Sequence, residues 1–142
     1  MLVSLVGSNL LSSGQCQSLW EGIWQATDCC SNSAVCMQLV TVVDTSAPLL
    51  TCASNKTVEC SQPWDFDAPT ATDVCGSAVV TILSTVTNAD CGSTFTATRT
   101  WEATDDCSNR VSCSQTVTVV DTTPPVLTCA TNKTAECSQP WD

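Results

Sequence analysis

A single period of 77 residues organises this sequence. The fourteen residues 52–65 return as residues 129–142 with twelve identities. The same offset carries residues 24–32 onto 101–109 and residues 42–45 onto 119–122. A fixed period of this length is the signature of tandem repeats, in which each repeat is one structural unit. The repeat therefore constrains the fold more strongly than any local motif.

The offset predicts three parts. Residues 45–121 form one whole repeat, residues 1–44 match the C-terminal part of a repeat, and residues 122–142 match its N-terminal part. Residues 1–11 are mildly apolar but lack a basic start, so they align with the strand predicted at 78–87 rather than with a signal peptide. The two partial repeats lack only the counterpart of residues 66–77, which we predict to be a loop.

Cysteine is abundant, with 12 among 142 residues, whereas histidine is absent. An apolar core in a unit of this size supplies only about 3–5 kcal/mol, so such units usually need cross-links. Zinc is a poor alternative because there are no CxxC pairs or histidine partners. We therefore predict disulfide bonds that form in an oxidising compartment. The candidate residues are all the cysteines: Cys16, Cys29, Cys30, Cys36, Cys52, Cys60, Cys75, Cys91, Cys107, Cys113, Cys129 and Cys137.

The pairing of these cysteines is open, because six per repeat permit many connectivities. Short loops favour near neighbours, each of which would close a turn or hairpin. The expected pairs are Cys52–Cys60, Cys75–Cys91 and Cys107–Cys113.

The net charge of −10, with only four Lys and Arg residues, excludes several kinds of partner. A surface this acidic cannot neutralise phosphates, so nucleic acid and anionic membrane surfaces are not expected partners. No apolar run reaches the roughly 20 residues that span a bilayer. Catalysis has little support, because histidine is absent and no serine lies in a GxSxG motif. We therefore predict that the protein is not an enzyme.

Short strands separated by turns account for most of the chain. Residues 79–87 are rich in Val, Ile and Thr, and residues 94–101 alternate, with Phe95 and Trp101 on the predicted buried face. Arg99 shares that face, which predicts a position at a sheet edge with its stem packed and its head in water. Residues 111–120 form the last strand, and no window has a helical period. Six or seven such strands predict an all-β, immunoglobulin-like β-sandwich.

The sequence resembles the HYR and HYR-like repeats, and four motifs carry the resemblance: DTTPPVLTC (residues 121–129), NKTxEC, TATDVCG and TWEATDDCSNRVSCSQTVTVVD. The resemblance covers nearly all of residues 45–121 and both partial repeats, and ATDxCxNxxxC is its most specific segment. It implies immunoglobulin-like modules found in tandem in extracellular proteins, including large bacterial surface proteins, with an adhesive or stalk-forming role. The family usually has glycine where this chain has Ser31 and Ser108, which leaves the turn in that loop open.

Oxygen-bearing side chains near the loops and the linker at residues 121–125 predict a calcium site, since Ca²⁺ takes about six to eight oxygen ligands. The alternative is a solvated acidic loop whose Asp and Asn residues form turns. The candidate ligands are Asp73, Asp105, Asp106, Asn109 and Asp121.

Two N-x-Thr sequons begin at Asn55 and Asn132, which occupy the same repeat position in a predicted turn. Such sequons accept N-linked glycans on the surface of secreted proteins. The alternative is that each asparagine only forms the turn.

The leading hypothesis is a structural subunit of an extracellular fibre or stalk, in which the partial repeats of different copies complete each other by strand complementation. Its main partner would then be a second copy of the same chain. One alternative is a window of a longer tandem array in which every repeat folds on its own. Another is an adhesin module that recognises glycan or protein, with calcium as a possible cofactor. Ice binding through rows of threonine is a third.

Overall fold

The computed structural model describes residues 1–138 as an all-β protein. Strand-forming Val, Ile, Thr and Trp fill its longer elements, and Gly, Ser, Asp and Pro separate them. Within the described range the strands are β1 (Leu2–Ser13), β2 (Gln17–Thr27), β3 (Ser33–Val43), β4 (Leu49–Thr51), β5 (Lys56–Glu59), β6 (Thr70–Thr72), β7 (Ala78–Ala89), β8 (Phe95–Asp105) and β9 (Arg110–Val120).

These strands make two structural units. A four-stranded sheet of order β5-β9-β8-β7 and a two-stranded sheet of β4 and β6 make an immunoglobulin-like sandwich, which confirms the predicted fold class. We call residues 49–120 the central sandwich. Strands β1, β2 and β3 form a separate antiparallel sheet, the N-terminal sheet, over residues 2–43. Strand β6 lies inside residues 66–77, so the prediction of an uninterrupted loop there is wrong: Thr70–Thr72 pairs with β4.

The core of the central sandwich lies on one face of β8 and β9. Alternate side chains of both strands point inward, as the sequence pattern predicts. The rings of Phe66 and Trp101 pack nearly at right angles, with ring centroids 6.0 Å apart. The buried apolar residues among those described are Ala97, Trp101, Ala103, Val117 and Val119.

Arg99 lies on this face, but not at an edge as predicted. Strand β8 is a central strand between β7 and β9. Arg99 Nε donates a hydrogen bond to Thr85 Oγ1 at 3.0 Å, and the guanidinium carbon lies 4.4 Å from the centre of the Phe66 ring. The positive charge is therefore held against the aromatic face by a cation–π contact and is half-buried.

Strands β2 and β3 have the same register as β8 and β9, and β1 matches β7 up to Leu10, after which the first hairpin contains a second irregularity that β7 and β8 lack. Leu5 faces Trp24, which faces Cys36 on the other side. The residues 77 positions later, Ile82, Trp101 and Cys113, face one another in the same order. Even the irregularity in the first hairpin, after Leu5, recurs after Ile82. The sequence repeat is therefore also a repeat of backbone pairing.

Candidate functional site

The first disulfide of the structure joins Cys52 to Cys113, with Cα atoms 6.0 Å apart. Cys52 follows β4, and Cys113 points inward from β9, so the bond ties the two sheets of the sandwich together. The expected pair Cys52–Cys60 is therefore wrong. The chain leaves the small sheet after β4, and β5 pairs with β9 in the larger sheet. The segment between Cys52 and Cys60 therefore crosses from one sheet to the other.

The second disulfide joins Cys16 to Cys107, with Cα atoms 5.2 Å apart. Cys16 lies in the turn between β1 and β2, and Cys107 lies in the turn between β8 and β9. This bond crosses from the N-terminal sheet to the central sandwich, so the expected pair Cys107–Cys113 is also wrong. Cys107 lies at the end of its hairpin, whereas Cys113 faces the core.

The other eight cysteines are free thiols in the described chain, and all of them are exposed. Cys75 and Cys91 are among them, so the expected pair between these two is not formed. The free thiols are Cys29, Cys30, Cys36, Cys60, Cys75, Cys91, Cys129 and Cys137.

The two ATDxCSN segments fold into identical turns. Asp105 Oδ1 accepts hydrogen bonds from the backbone N–H of Cys107 at 2.8 Å and of Asn109 at 2.9 Å. Asp28 makes the same bonds one repeat earlier, to Cys30 at 2.8 Å and to Asn32 at 2.9 Å. The two loops therefore adopt the same turn, although neither has the glycine that the family usually has.

Serine takes the glycine position in a left-handed conformation, with φ of 69° at Ser31 and 70° at Ser108. Burial acts to raise the pKa of the Asp105 carboxyl, but hydrogen bonds from Asn109 outweigh it, and this pKa lies below its ordinary value. Hydrogen bonds from Asn32 likewise lower the pKa of Asp28. The ionised aspartate therefore holds each turn in its strained conformation.

The inner face of the N-terminal sheet is open, which distinguishes it from its counterpart. Val40 is 42% exposed and Val42 is 53% exposed. The equivalent residues of β9 are 0% exposed at Val117 and 3% exposed at Val119. In the central sandwich, the β4–β6 sheet, Trp64 and Phe66 lie over this face, while β5 extends the same sheet beside β9; no such cover lies over the N-terminal sheet within the part of the chain that the structure describes.

A buried glutamine shows how the cover is attached. Gln115 Nε2 donates to Ser54 O at 2.9 Å and to Asp67 Oδ2 at 2.7 Å, and its Oε1 accepts from Asp67 N at 2.9 Å. The repeat equivalent, Gln38, is exposed, and its Oε1 accepts from Trp24 Nε1 at 3.0 Å. Equal positions in equal registers thus have different partners, because only one of the two faces is covered.

Three carboxylates meet at the junction of the two units, where the oxygens of Asp44, Asp73 and Asp105 lie within 4.8 Å of one another. Only Asp73 and Asp105 belong to the predicted ligand set, and no sequence motif indicates Asp44 as a third ligand. Asn109 caps Asp105, with Nδ2 donating to Oδ2 at 2.9 Å. Calcium binding by this cluster stays a prediction.

The other two predicted ligands lie elsewhere. Asp106 Oδ2 accepts from the backbone N–H of Ser77 at 3.1 Å and from Ser77 Oγ at 3.0 Å. These bonds lower the pKa of Asp106. Asp121 lies near Glu59 and Cys60 instead. The predicted five-residue set is therefore divided among separate places.

A family profile described as the HYR-like domain with four cysteines matches residues 49–119. The chain belongs to this HYR-like family. The match coincides with the central sandwich and confirms the resemblance that the ATDxCxNxxxC segment indicates. No curated protein matches the sequence.

HYR-like domains are non-enzymatic, adhesion-type repeats of extracellular proteins, and the all-β architecture of this chain fits that description. The two disulfides fit an oxidising environment. Residues 1–138 include no helix that is long and apolar enough to cross a membrane.

Both sequon asparagines of this HYR-like chain are exposed. Asn55 Oδ1 accepts a hydrogen bond from the backbone N–H of Thr116 at 2.8 Å. An N-linked glycan is attached through Nδ2, so this bond leaves the attachment atom available. Asn132 occupies the equivalent position, and glycosylation of the two sites stays a prediction.

Proposed function

We propose that this HYR-like protein is the structural subunit of an extracellular fibre, secreted or held at a cell surface. In this fibre, residues 122–142 of one copy cover the open N-terminal sheet of the next copy and complete an immunoglobulin-like domain. The observation that carries the proposal is the open inner face of a sheet whose register equals that of a covered one.

Two strand segments that would complete the domain are present in the same sequence, whereas residues 122–142 hold no counterpart of Phe66, Asp67 or β6. Strand β4 (Leu49–Thr51) has its repeat equivalent at residues 126–128, and β5 (Lys56–Glu59) has its equivalent at 133–136. In the central sandwich, β5 runs parallel to β9 with Lys56 opposite Val117. The 77-residue offset therefore places Lys133 of one copy opposite Val40 of the next.

Residues 121–136 have no strand of their own in the described structure. Chains seldom leave the apolar face of a sheet uncovered, because its burial is worth about 25 cal/mol per Å². Addition of this segment to the sheet of another copy would bury the open face and give the segment backbone hydrogen-bond partners. The last four residues of the segment lie outside the described residues.

The contact joins two different surfaces and therefore does not close on itself, so repetition gives a linear polymer. Each copy would contribute its own central sandwich and one shared domain. The alternative is a longer tandem array in which each repeat is completed by the same chain.

Deletion of residues 122–142 tests the proposal. Light scattering and negative-stain electron microscopy should show filaments for the full chain and monomers for the deletion. A synthetic peptide of residues 122–142 should bind the deleted protein with saturation. As a matched control, the same peptide with Leu127→Asp should bind more weakly by at least about tenfold. Leu127 is the repeat equivalent of Leu50, which is partly buried in the central sandwich.

Two results would contradict the proposal. Filaments that form from the deleted protein would show that residues 122–142 are not the linking segment. Full-length protein that stays monomeric at high concentration would favour the self-contained array instead.

A further inference from the structure

We propose that the fibre is covalent, with two disulfides at every junction between copies: Cys129 of one copy with Cys36 of the next, and Cys91 of the first copy with Cys30 of the next. This inference rests on the proposed function, since both bonds need the shared domain. It assigns partners to four of the eight thiols that are free within a single described chain.

The first pair repeats the bond between Cys52 and Cys113. Cys129 follows residues 126–128 as Cys52 follows β4, and Cys36 is 77 residues before Cys113. Cys36 stands opposite Trp24 in β2, as Cys113 stands opposite Trp101 in β8. The Cα separation of 6.0 Å in the central sandwich lies within the range that disulfides accept. Covering the N-terminal sheet in the same register therefore brings the sulfurs of Cys129 and Cys36 together.

The second pair joins the same two kinds of turn as the bond between Cys16 and Cys107, a hairpin turn of one unit and the ATDxCSN turn of the next. The 77-residue offset itself maps Cys16 onto Ser93, two residues after Cys91 in the equivalent turn. Cys30 is the repeat equivalent of Cys107, and its backbone N–H makes the same 2.8 Å bond to the preceding aspartate. Cys91 lies in the turn between β7 and β8, as Cys16 lies in the turn between β1 and β2.

Both hairpin turns lie beside the start of the segment that leads to the next unit. Asp44 N donates to Cys16 O at 3.1 Å, so the linker begins beside the first hairpin turn. At the second hairpin, Asp90 and Asp121 line one hollow of about 450 Å³. The corresponding hollow at the first hairpin is lined by Cys16, Asp44 and Cys75, the last of which belongs to the following unit. The larger hollow is therefore the place where the shared domain would dock.

The order of units makes both bonds intermolecular. In the proposed fibre, the central sandwich of one copy is followed by a domain made from its own residues 122–142 and from the N-terminal sheet of the next copy. Cys91 and Cys129 then belong to the first copy, whereas Cys30 and Cys36 belong to the second. The bond between Cys16 and Cys107 stays within the second copy and joins the shared domain to the next sandwich.

Each new bond forms by thiol–disulfide exchange. Two cysteine thiols lose two protons and two electrons and become one disulfide, while one low-molecular-weight disulfide, such as oxidised glutathione, takes them up and becomes two thiols. An oxidising extracellular compartment supplies that class of oxidant.

The test uses the full chain, assembled in a glutathione redox buffer from equal amounts of unlabelled and ¹⁵N-labelled protein. Gel electrophoresis in denaturant without reductant should give a ladder that reductant collapses to the monomer. Peptide mapping should find mixed light–heavy peptides that link Cys36 to Cys129 and Cys30 to Cys91. The variant Cys36→Ser/Cys91→Ser removes one partner from each pair and should abolish the ladder. Cys60→Ser, which removes an exposed thiol outside both pairs, should leave it unchanged.

The outcomes separate this inference from the proposed function. Filaments without mixed linked peptides, or with only light–light and heavy–heavy ones, would overturn the covalent junction and leave the fibre itself intact. A ladder that survives the double variant would overturn the assigned pairs. Absence of filaments in every redox buffer would overturn both proposals. The substituted cysteines are exposed in the single chain, so the variants should fold, which circular dichroism verifies.

Discussion

The hydrogen bonds of the buried Gln115 side chain give the most direct test of what stabilises the sandwich. The substitution Gln115→Leu keeps nearly the same volume, so the cavity and overpacking costs should be small. It removes three hydrogen bonds at once, to Ser54 O, Asp67 N and Asp67 Oδ2. Each such bond is worth about 1 kcal/mol net, and each abandoned partner adds a desolvation cost. We expect the free energy of unfolding to fall by about 3 kcal/mol.

Gln38→Leu is the matched control, because Gln38 occupies the same repeat position on the open sheet. The side chain of Gln38 is exposed and accepts one hydrogen bond, from Trp24 Nε1. Its loss should therefore cost no more than about 1 kcal/mol in a monomeric sample. The comparison isolates the effect of covering the inner face, since residue type and strand register are the same.

Urea unfolding, followed by tryptophan fluorescence and circular dichroism, measures both variants. Light scattering must first show that each sample is monomeric, because assembly would bury Gln38 and raise its contribution. The reasoning is refuted if Gln115→Leu unfolds within about 1 kcal/mol of the unsubstituted protein, or if Gln38→Leu costs as much as Gln115→Leu.

Four further outcomes are expected. Replacing both cysteines of the Cys52–Cys113 bond with alanine should lower the free energy of unfolding by about 4 kcal/mol, from the chain-entropy cost of a loop of 61 residues; equal urea midpoints would contradict this. Ser108→Val should destabilise by about 1–2 kcal/mol, because φ is 70° there, whereas Ser108→Gly should change stability by less than about 1 kcal/mol; calorimetry distinguishes them. The pKa of Asp105 is lowered by folding, so its contribution is present above the ordinary value of about 3.9 and is lost as the pH falls through the folded pKa; Asp105→Asn should flatten that acid limb, and an unchanged limb argues against the role of this carboxylate. Asn55 should carry a glycan in protein from its natural source; a bare peptide mass in mass spectrometry would exclude it.

Local patterns were enough to predict most of the strands and the inward-facing residues. Alternation in residues 94–101 correctly assigned Trp101 to the core, and alternation in residues 111–120 places Val117 and Val119 on one side of the last strand, which the structure buries. The 77-residue offset also predicted which residues are equivalent, and the paired registers of the two sheets obey it. Side-chain direction in a strand alternates with a period of two, so neighbouring residues alone determine it.

Contacts between distant segments were beyond the sequence. Loop length favoured Cys52–Cys60, but the chain crosses between the two sheets there. Cys52 follows β4 of the small sheet, whereas β5, which precedes Cys60, pairs with β9 of the larger sheet. Arg99 was assigned to an edge, yet it is held over Phe66 on a central strand. Asp44 joins Asp73 and Asp105 only because the N-terminal sheet docks against the sandwich.

The sequence by itself thus determined the repeat, the strands and the face that each strand buries, since these depend on residue order along one segment. Only the tertiary structure decided which sulfurs bond, which carboxylates meet and which of two equal sheets is covered. Those properties depend on how sheets stack and on which segment crosses between them. Gln38 and Gln115 illustrate the division: the same residue at the same repeat position is exposed in one sheet and fully buried in the other.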